Sequence, residues 1–230
     1  MLIFVKSNLV PGEYVEYNDG ESGDLISETR TIGDVDKLRT QSIRVILNYG
    51  EPALKIDAHE KLMDKVVTEV NDGELSISLK PGSYKNTHNK IKVFVTSNNL
   101  KKITARGGGS VFSEDTFTAD QMDLEAHGGG NIEMTLQVID SNANASGGGG
   151  LTLFGNVTNL KSNVHGGGWL EAYELDVKNA DMHVSGGGNA KVKPEALTRA
   201  KATGGGTLYY RGSPTISNLD ISGGGNIKNE

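Results

Sequence analysis

The chain has 230 residues, a formal charge of −6 and no cysteine, which allows one substantial core and excludes disulfides, thiolate metal sites and a cysteine nucleophile. An acidic balance gives no basic patch for nucleic acid and no polybasic footprint for a membrane surface. Apolar residues make up 36% and there is a single Trp, thin for a compact globule but suited to a narrow, elongated core.

In chain order, the apolar start Met1–Val5 is ended by Lys6. It is too short for a signal-peptide core, and no signal peptide is visible. No apolar stretch of about 18 residues follows, so no membrane-spanning helix and no membrane insertion are expected. Residues 1–19 read as an N-terminal extension. Beyond them, Ile43–Asn48 and Ala53–Ala58 are strand-like around a turn at Tyr49-Gly50-Glu51-Pro52. A short helix fits His59–Asp64. Val66–Val70 and Leu75–Leu79 flank Asn71-Asp72-Gly73, a strong hairpin signal. Ile91–Thr96 alternates and leads through Asn98-Asn99 into the second half. Residues 20–98 are expected as antiparallel β-hairpins continuous with that half and covering one end of it, because an open strand edge invites aggregation.

Residues 99–230 carry seven glycine triplets, beginning at Gly107, Gly128, Gly147, Gly166, Gly186, Gly204 and Gly223, at spacings of 21, 19, 19, 20, 18 and 19. A period of this size marks coils of chain stacked on one another. Two residues before each triplet stand Ala105, Ala126, Ala145, Val164, Val184, Ala202 and Ile221. Four residues after its first glycine stand Val111, Ile132, Leu151, Leu170, Ala190, Leu208 and Ile227. Polar residues separate these columns, which is the period of two of a half-buried strand. The pattern predicts an all-β chain, a parallel right-handed β-helix of about seven coils with the glycines at its corners. Glycine fits a repeated corner because it tolerates positive φ and close backbone approach.

Several catalytic patterns are imitated without their partners. His127 and His165 precede triplets as in an oxyanion loop, but no G-x-S-x-G nucleophile elbow accompanies them. No phosphate-binding loop and no acidic ladder for calcium follows the glycines. His59-Glu60-Lys61-Leu62-Met63 lacks the second histidine of a zinc protease, and the five histidines are scattered. No catalytic residue, cofactor or metal site is therefore expected. Asp115, Asp120, Asp123 and Glu125 form the densest acidic cluster, yet Asn142 and Asn144 replace its last two members in the next coil. Asn144 and Asn163 fall in one column and could form an amide ladder. Trp169, Tyr209, Phe112 and Tyr173 follow triplets and are the ligand-binding candidates, since flat rings on a rigid β surface stack on sugars or anchor proteins. Tyr210 falls in an inward column with Met134, Leu153 and Val192 and reads as core.

Residues 20–230 resemble the auto-transporter adhesin "head GIN" family of bacterial envelope proteins. The likeness rests on Gly23–Arg30, Asp36-Lys37-Leu38, Val66–Ile77 and the Ser-Gly-Gly-Gly-Asn units at Ser185–Asn189 and Ser222–Asn226. It implies a pectin-lyase-like β-helix forming one domain over 20–230, export to the periplasm or cell surface, and adhesion to a polysaccharide or surface protein. The reading drawn from all this is a non-enzymatic binding module. The alternatives are a pectin-lyase-like carbohydrate-active enzyme using the acidic cluster, or an envelope scaffold working through homo-oligomer contacts at the coil ends.

Overall fold

A computed structural model of the chain describes residues 16–17, 24–84 and 90–230. The rest of the expected N-terminal extension, and residues 20–23 of the region after it, lie outside the described residues. In chain order the elements are β1 (Glu16–Tyr17), β2 (Leu25–Arg30), β3 (Lys37–Gln41), β4 (Arg44–Asn48), β5 (Ala53–His59) and a single-turn helix α1 (Glu60–Met63). There follow β6 (Val66–Asn71), β7 (Glu74–Leu79), β8 (Ser83–Tyr84), β9 (Ile91–Thr96) and β10 (Lys102–Arg106). Five long strands come next: β11 (Ser110–His127), β12 (Asn131–Ser146), β13 (Gly150–His165), β14 (Trp169–Val184) and β15 (Asn189–Thr203). The chain ends with β16 (Thr207–Tyr210), β17 (Thr215–Ile216), β18 (Leu219–Ser222) and β19 (Asn226–Asn229). About seven turns of β-solenoid result, with antiparallel strands at the N-terminus.

Each long strand is one coil, paired in parallel with the next so that like positions stack: Ile132 meets Leu151, which meets Leu170, which meets Ala190. The inward columns are almost wholly removed from solvent, as at Ala105, Ala126, Ala145, Val164 and Val184. Tyr210 packs against this core. Two polar side chains, Ser141 and Ser162, are also buried, and their hydroxyls have no hydrogen-bond partner among the described residues.

The corner between coils is the same tight turn each time. The first glycine of every triplet has φ between +53° and +58° and the second between +76° and +80°. The third glycine's N–H donates to the carbonyl just before the triplet at 2.8–3.0 Å. Two successive positive φ values closed by such a bond make a type I′ turn. The third glycine has a different reason. At Gly130, Gly149 and Gly225, a Cβ would collide with the backbone carbonyl of Ala105, Ala126 and Ala202 in the coil below. Two glycines thus serve dihedral angles and one serves close stacking.

The N-terminal region is mixed rather than purely antiparallel. β6 and β7 form the hairpin predicted at Asn71-Asp72-Gly73, with Asp72 and Gly73 at positive φ. The turn at 49–52, however, does not join a paired hairpin: β9 lies between β4 and β5, parallel to the first and antiparallel to the second. β3 and β4 run parallel to β10 and β11 and form a half coil beneath the first triplet. Ser42, at φ +60°, bends this half coil where later coils use glycine, and its Oγ donates to the Gly107 carbonyl at 2.9 Å. The repeat therefore begins before the first glycine triplet.

Candidate functional site

The strand segment leaving each triplet presents one flat outer face. Phe112, Glu133, Thr152, Glu171, Lys191, Tyr209 and Lys228 stack in register along it. Phe112 and Tyr209 are half-buried members of this column, five steps apart, or roughly 24 Å at the usual strand spacing. The Lys228 ammonium lies 5.9 Å from the centre of the Tyr209 ring. Trp169 sits two positions along the strand from that column and is 39% exposed, so it is both packed and open. Its indole lies back over Gly150 of the preceding coil, reaching the space a Cβ at Gly150 would fill. A cleft of about 290 Å³ joins Trp169 to Phe112, with Arg44, Asn131, Glu133 and Thr152 among its walls.

Tyr173 does not belong with these residues. It is 8% exposed, its hydroxyl donates to Glu230 Oε2 at 2.8 Å, and the Arg211 guanidinium covers its ring at 3.9 Å. Burial, then the Glu230 contact, push its phenol well above the ordinary tyrosine range, so it keeps its proton. The ring is already occupied, and its part is to tie the last residues of the chain to β14.

A second concave feature lies further along each coil. A groove of about 1,090 Å³ runs parallel to the solenoid axis. One wall stacks Thr118, Gln137, Asn156, Asp176 and Lys193 in register, with Arg211 and Gly212 closing the end. The other wall carries Asp120, Ile139, Thr158, Lys178 and Glu195. Between them runs a column whose side chains turn inward, Val138, Val157 and Val177. The floor is therefore backbone already paired within the sheet.

The acidic cluster is dispersed. Asp115 accepts from the Tyr49 N–H at 2.9 Å, and its neighbour Glu114 accepts from Asn48. Asp120 lies in the groove wall, while Asp123 accepts from Asn142 at 2.7 Å. Glu125 is bonded to Lys102 at 2.8 Å. Burial raises the Glu125 carboxyl, but Lys102, with His127 and Arg106, holds it below the ordinary carboxylate range. His127 meets Ser146 of the next coil through Nδ1 at 2.6 Å and Glu125 through Nε2 at 3.7 Å. This serine, histidine and carboxylate form a row across the coils. The carboxylate, committed to Lys102, stands too far from the ring to hold it by a hydrogen bond. Amide ladders run beside the row, from Asn163 to Asn144 at 2.9 Å and from Asn179 through Asn159 to Asp140.

Comparison with known proteins decides the family. Residues 39–214 match the family described as "Putative auto-transporter adhesin, head GIN domain". The chain belongs to this family. Among solved structures, a "putative adhesin" from Bacteroides fragilis has 24% identity and a TM-score of 0.83, over 94% of this chain and all of that one. A "Putative lipid binding protein" from Parabacteroides distasonis has 23% identity and a TM-score of 0.74, over 95% of this chain and all of that one. A further "putative adhesin", from Parabacteroides merdae, has 19% identity and a TM-score of 0.71 over 95% of this chain and all of that one. At these identities the likeness is one of fold. No curated protein matches. Head GIN membership makes the chain an adhesin-like protein of the cell envelope or surface. Among the described residues, no helix is long and apolar enough to cross a membrane.

In this head GIN chain the aromatic residues were visible in the sequence, whereas the groove was not. Its walls contain common polar residues at positions far from the glycines, and only the stacking register brings Gln137, Asn156 and Asp176 into one column. Counting residues back from the following triplet would have aligned Gln137 with Asn156, since that coil spacing is 19.

Proposed function

We propose that residues 20–230 act as one non-catalytic, exported adhesion module. It holds a surface glycan or surface protein on the rigid face that carries Trp169, Phe112 and Tyr209. The observation behind this reading is the seating of Trp169 on Gly150. An indole resting against Gly150 of the preceding coil, partly exposed beside a cleft shared with Phe112, is pre-organised to stack on a partner. The dispersal of Asp115, Asp120, Asp123 and Glu125 among separate partners weighs against the enzyme alternative, which needs carboxylates converging on one bond. The lipid-binding description of the Parabacteroides distasonis protein raises a third reading. The charged and amide walls of the groove, open to solvent, suit an apolar chain poorly.

The test is retention of the full chain on immobilised polysaccharides and on cell-envelope preparations, scored together with release of new chain ends. Retention without release, weakened about tenfold by Trp169→Ala and less by Tyr209→Ala or Phe112→Ala, is the expected result. Release of new reducing ends would overturn the non-catalytic reading.

A further inference from the structure

We infer that the axial groove, on a different segment of the coil from Trp169, is a binding site for a neutral, hydroxyl-rich linear glycan lying along the solenoid axis. The inference rests on the reading of the chain as a binding module and adds the ligand class and a second site.

The wall chemistry carries it. The stacked wall offers hydroxyl, carboxamide and carboxylate groups at Thr118, Gln137, Asn156 and Asp176, repeated at one strand spacing of roughly 4.8 Å. These groups donate to and accept from hydroxyls, so each coil supplies one more anchoring point for a polymer rich in them. Charge selects against polyanions and polycations. Asp120, Asp176 and Glu195 are balanced in number by Lys178, Lys193 and Arg211, so the groove lining carries no net charge. A peptide would need unpaired backbone to add as a strand, and the floor has none to give, because the Val138, Val157 and Val177 column is paired on both sides. From the Thr118 coil to the Arg211 end the groove spans six coils, roughly 24 Å at strand spacing. That length takes several sugar units rather than one. Each step contributes little by itself, and the affinity comes from the number of steps engaged together.

The test is isothermal titration of the full chain with neutral oligosaccharides of increasing length, the cello-, laminari-, manno- and xylo- series from disaccharide to hexasaccharide. Hexagalacturonate serves as the charged probe. The expected result is that at least one neutral series binds, with affinity rising with chain length and unchanged from low to high salt. The double variant Gln137→Ala/Asn156→Ala should weaken that binding about tenfold, with Glu69→Ala, exposed on the β6–β7 hairpin and outside both faces, leaving it within about twofold. Both altered side chains in the double variant are exposed, and an unchanged circular dichroism spectrum and melting temperature exclude misfolding as the cause. Thr158→Arg, which narrows the groove from the opposite wall, gives a second independent loss. Binding that ignores chain length, binding of hexagalacturonate alone, or binding lost with Trp169→Ala but kept in the groove variants would each overturn the groove site. The last of these would leave the adhesion reading standing. Silence across all series overturns the groove site as well, and retention on envelope preparations then decides the adhesion reading separately.

Discussion

At the residue scale, the glycines of one triplet are not equivalent. Gly129 needs only its positive φ, with the nearest backbone atom 3.9 Å from where a Cβ would stand. Gly130→Ala drives a methyl into the Ala105 carbonyl of the neighbouring coil. Alanine at Gly129 is expected to cost about 1–2 kcal/mol, the cost of the left-handed region. Alanine at Gly130 is expected to cost roughly 2–4 kcal/mol, because it forces two coils apart. Urea unfolding of both variants measures the difference, and equal losses would sink the distinction. Gly150 lies outside the turn proper and has its own role as the seat of the indole. Gly150→Ala is expected to leave the circular dichroism spectrum unchanged and to shift the emission of the only Trp to longer wavelength, as Trp169 is lifted into water. An unchanged emission would mean that the indole does not rest there.

At the scale of single coils, the sequence was most legible where the period is strict and least where it slips. The inward columns beside each triplet identified the strands and their buried faces, because every coil passes through that point in the same conformation. Ile43–Asn48 reads as a strand, but nothing in the sequence marks Lys37–Asn48 as a half coil of the repeat, because its corner uses Ser42, which breaks the glycine pattern while keeping its φ. Tyr173 departs from the other aromatic candidates for a related reason. Column alignment places it after a triplet, but β14 has an extra residue between Glu171 and Leu175 relative to β13, and there Arg211 and Glu230 cover the ring. Side-chain rows across coils are a further feature that spacing alone gave only in part, as with Lys102, Glu125, His127 and Ser146. Because the folded-state pKa of Glu125 is depressed, its contribution to stability is complete above the ordinary carboxylate range and fades as pH falls through the lowered value. Glu125→Gln is therefore expected to melt below the parent at neutral pH, and the gap should narrow as pH falls below the ordinary carboxylate range and through the lowered value. A gap that widens in acid would contradict this account.

At the scale of the whole molecule, both ends are held by residues that interrupt the repeat. In the first coil, β11 carries two more residues than β12 between Phe112 and Phe117, and there Glu114 and Asp115 bind Asn48 and Tyr49 of the N-terminal region. In β14 the extra stretch holds Tyr173, which binds Glu230 and stacks under Arg211. Tyr173→Phe removes the Glu230 contact and keeps the ring. It is expected to speed amide hydrogen exchange through 207–229 while leaving β11 and β12 protected, since coils in a stack depend chiefly on their neighbours. Uniform acceleration along the chain would argue instead for a single cooperative block. The coil spacings of 21, 19, 19, 20, 18 and 19 acquire a meaning from this arrangement. Among the long strands each surplus or deficit is absorbed at the slips near Phe112, Thr152, Ala172 and Ala180, the last coil takes up its extra residue between Tyr210 and Thr215, and each triplet then resets the phase for the next coil. The corners thus act as the graduations of a ruler. A descendant that duplicated the stretch from one triplet to the next would lengthen its groove by one strand spacing, with both fastened ends unchanged. In this scaffold, reach along a partner is set by an integer.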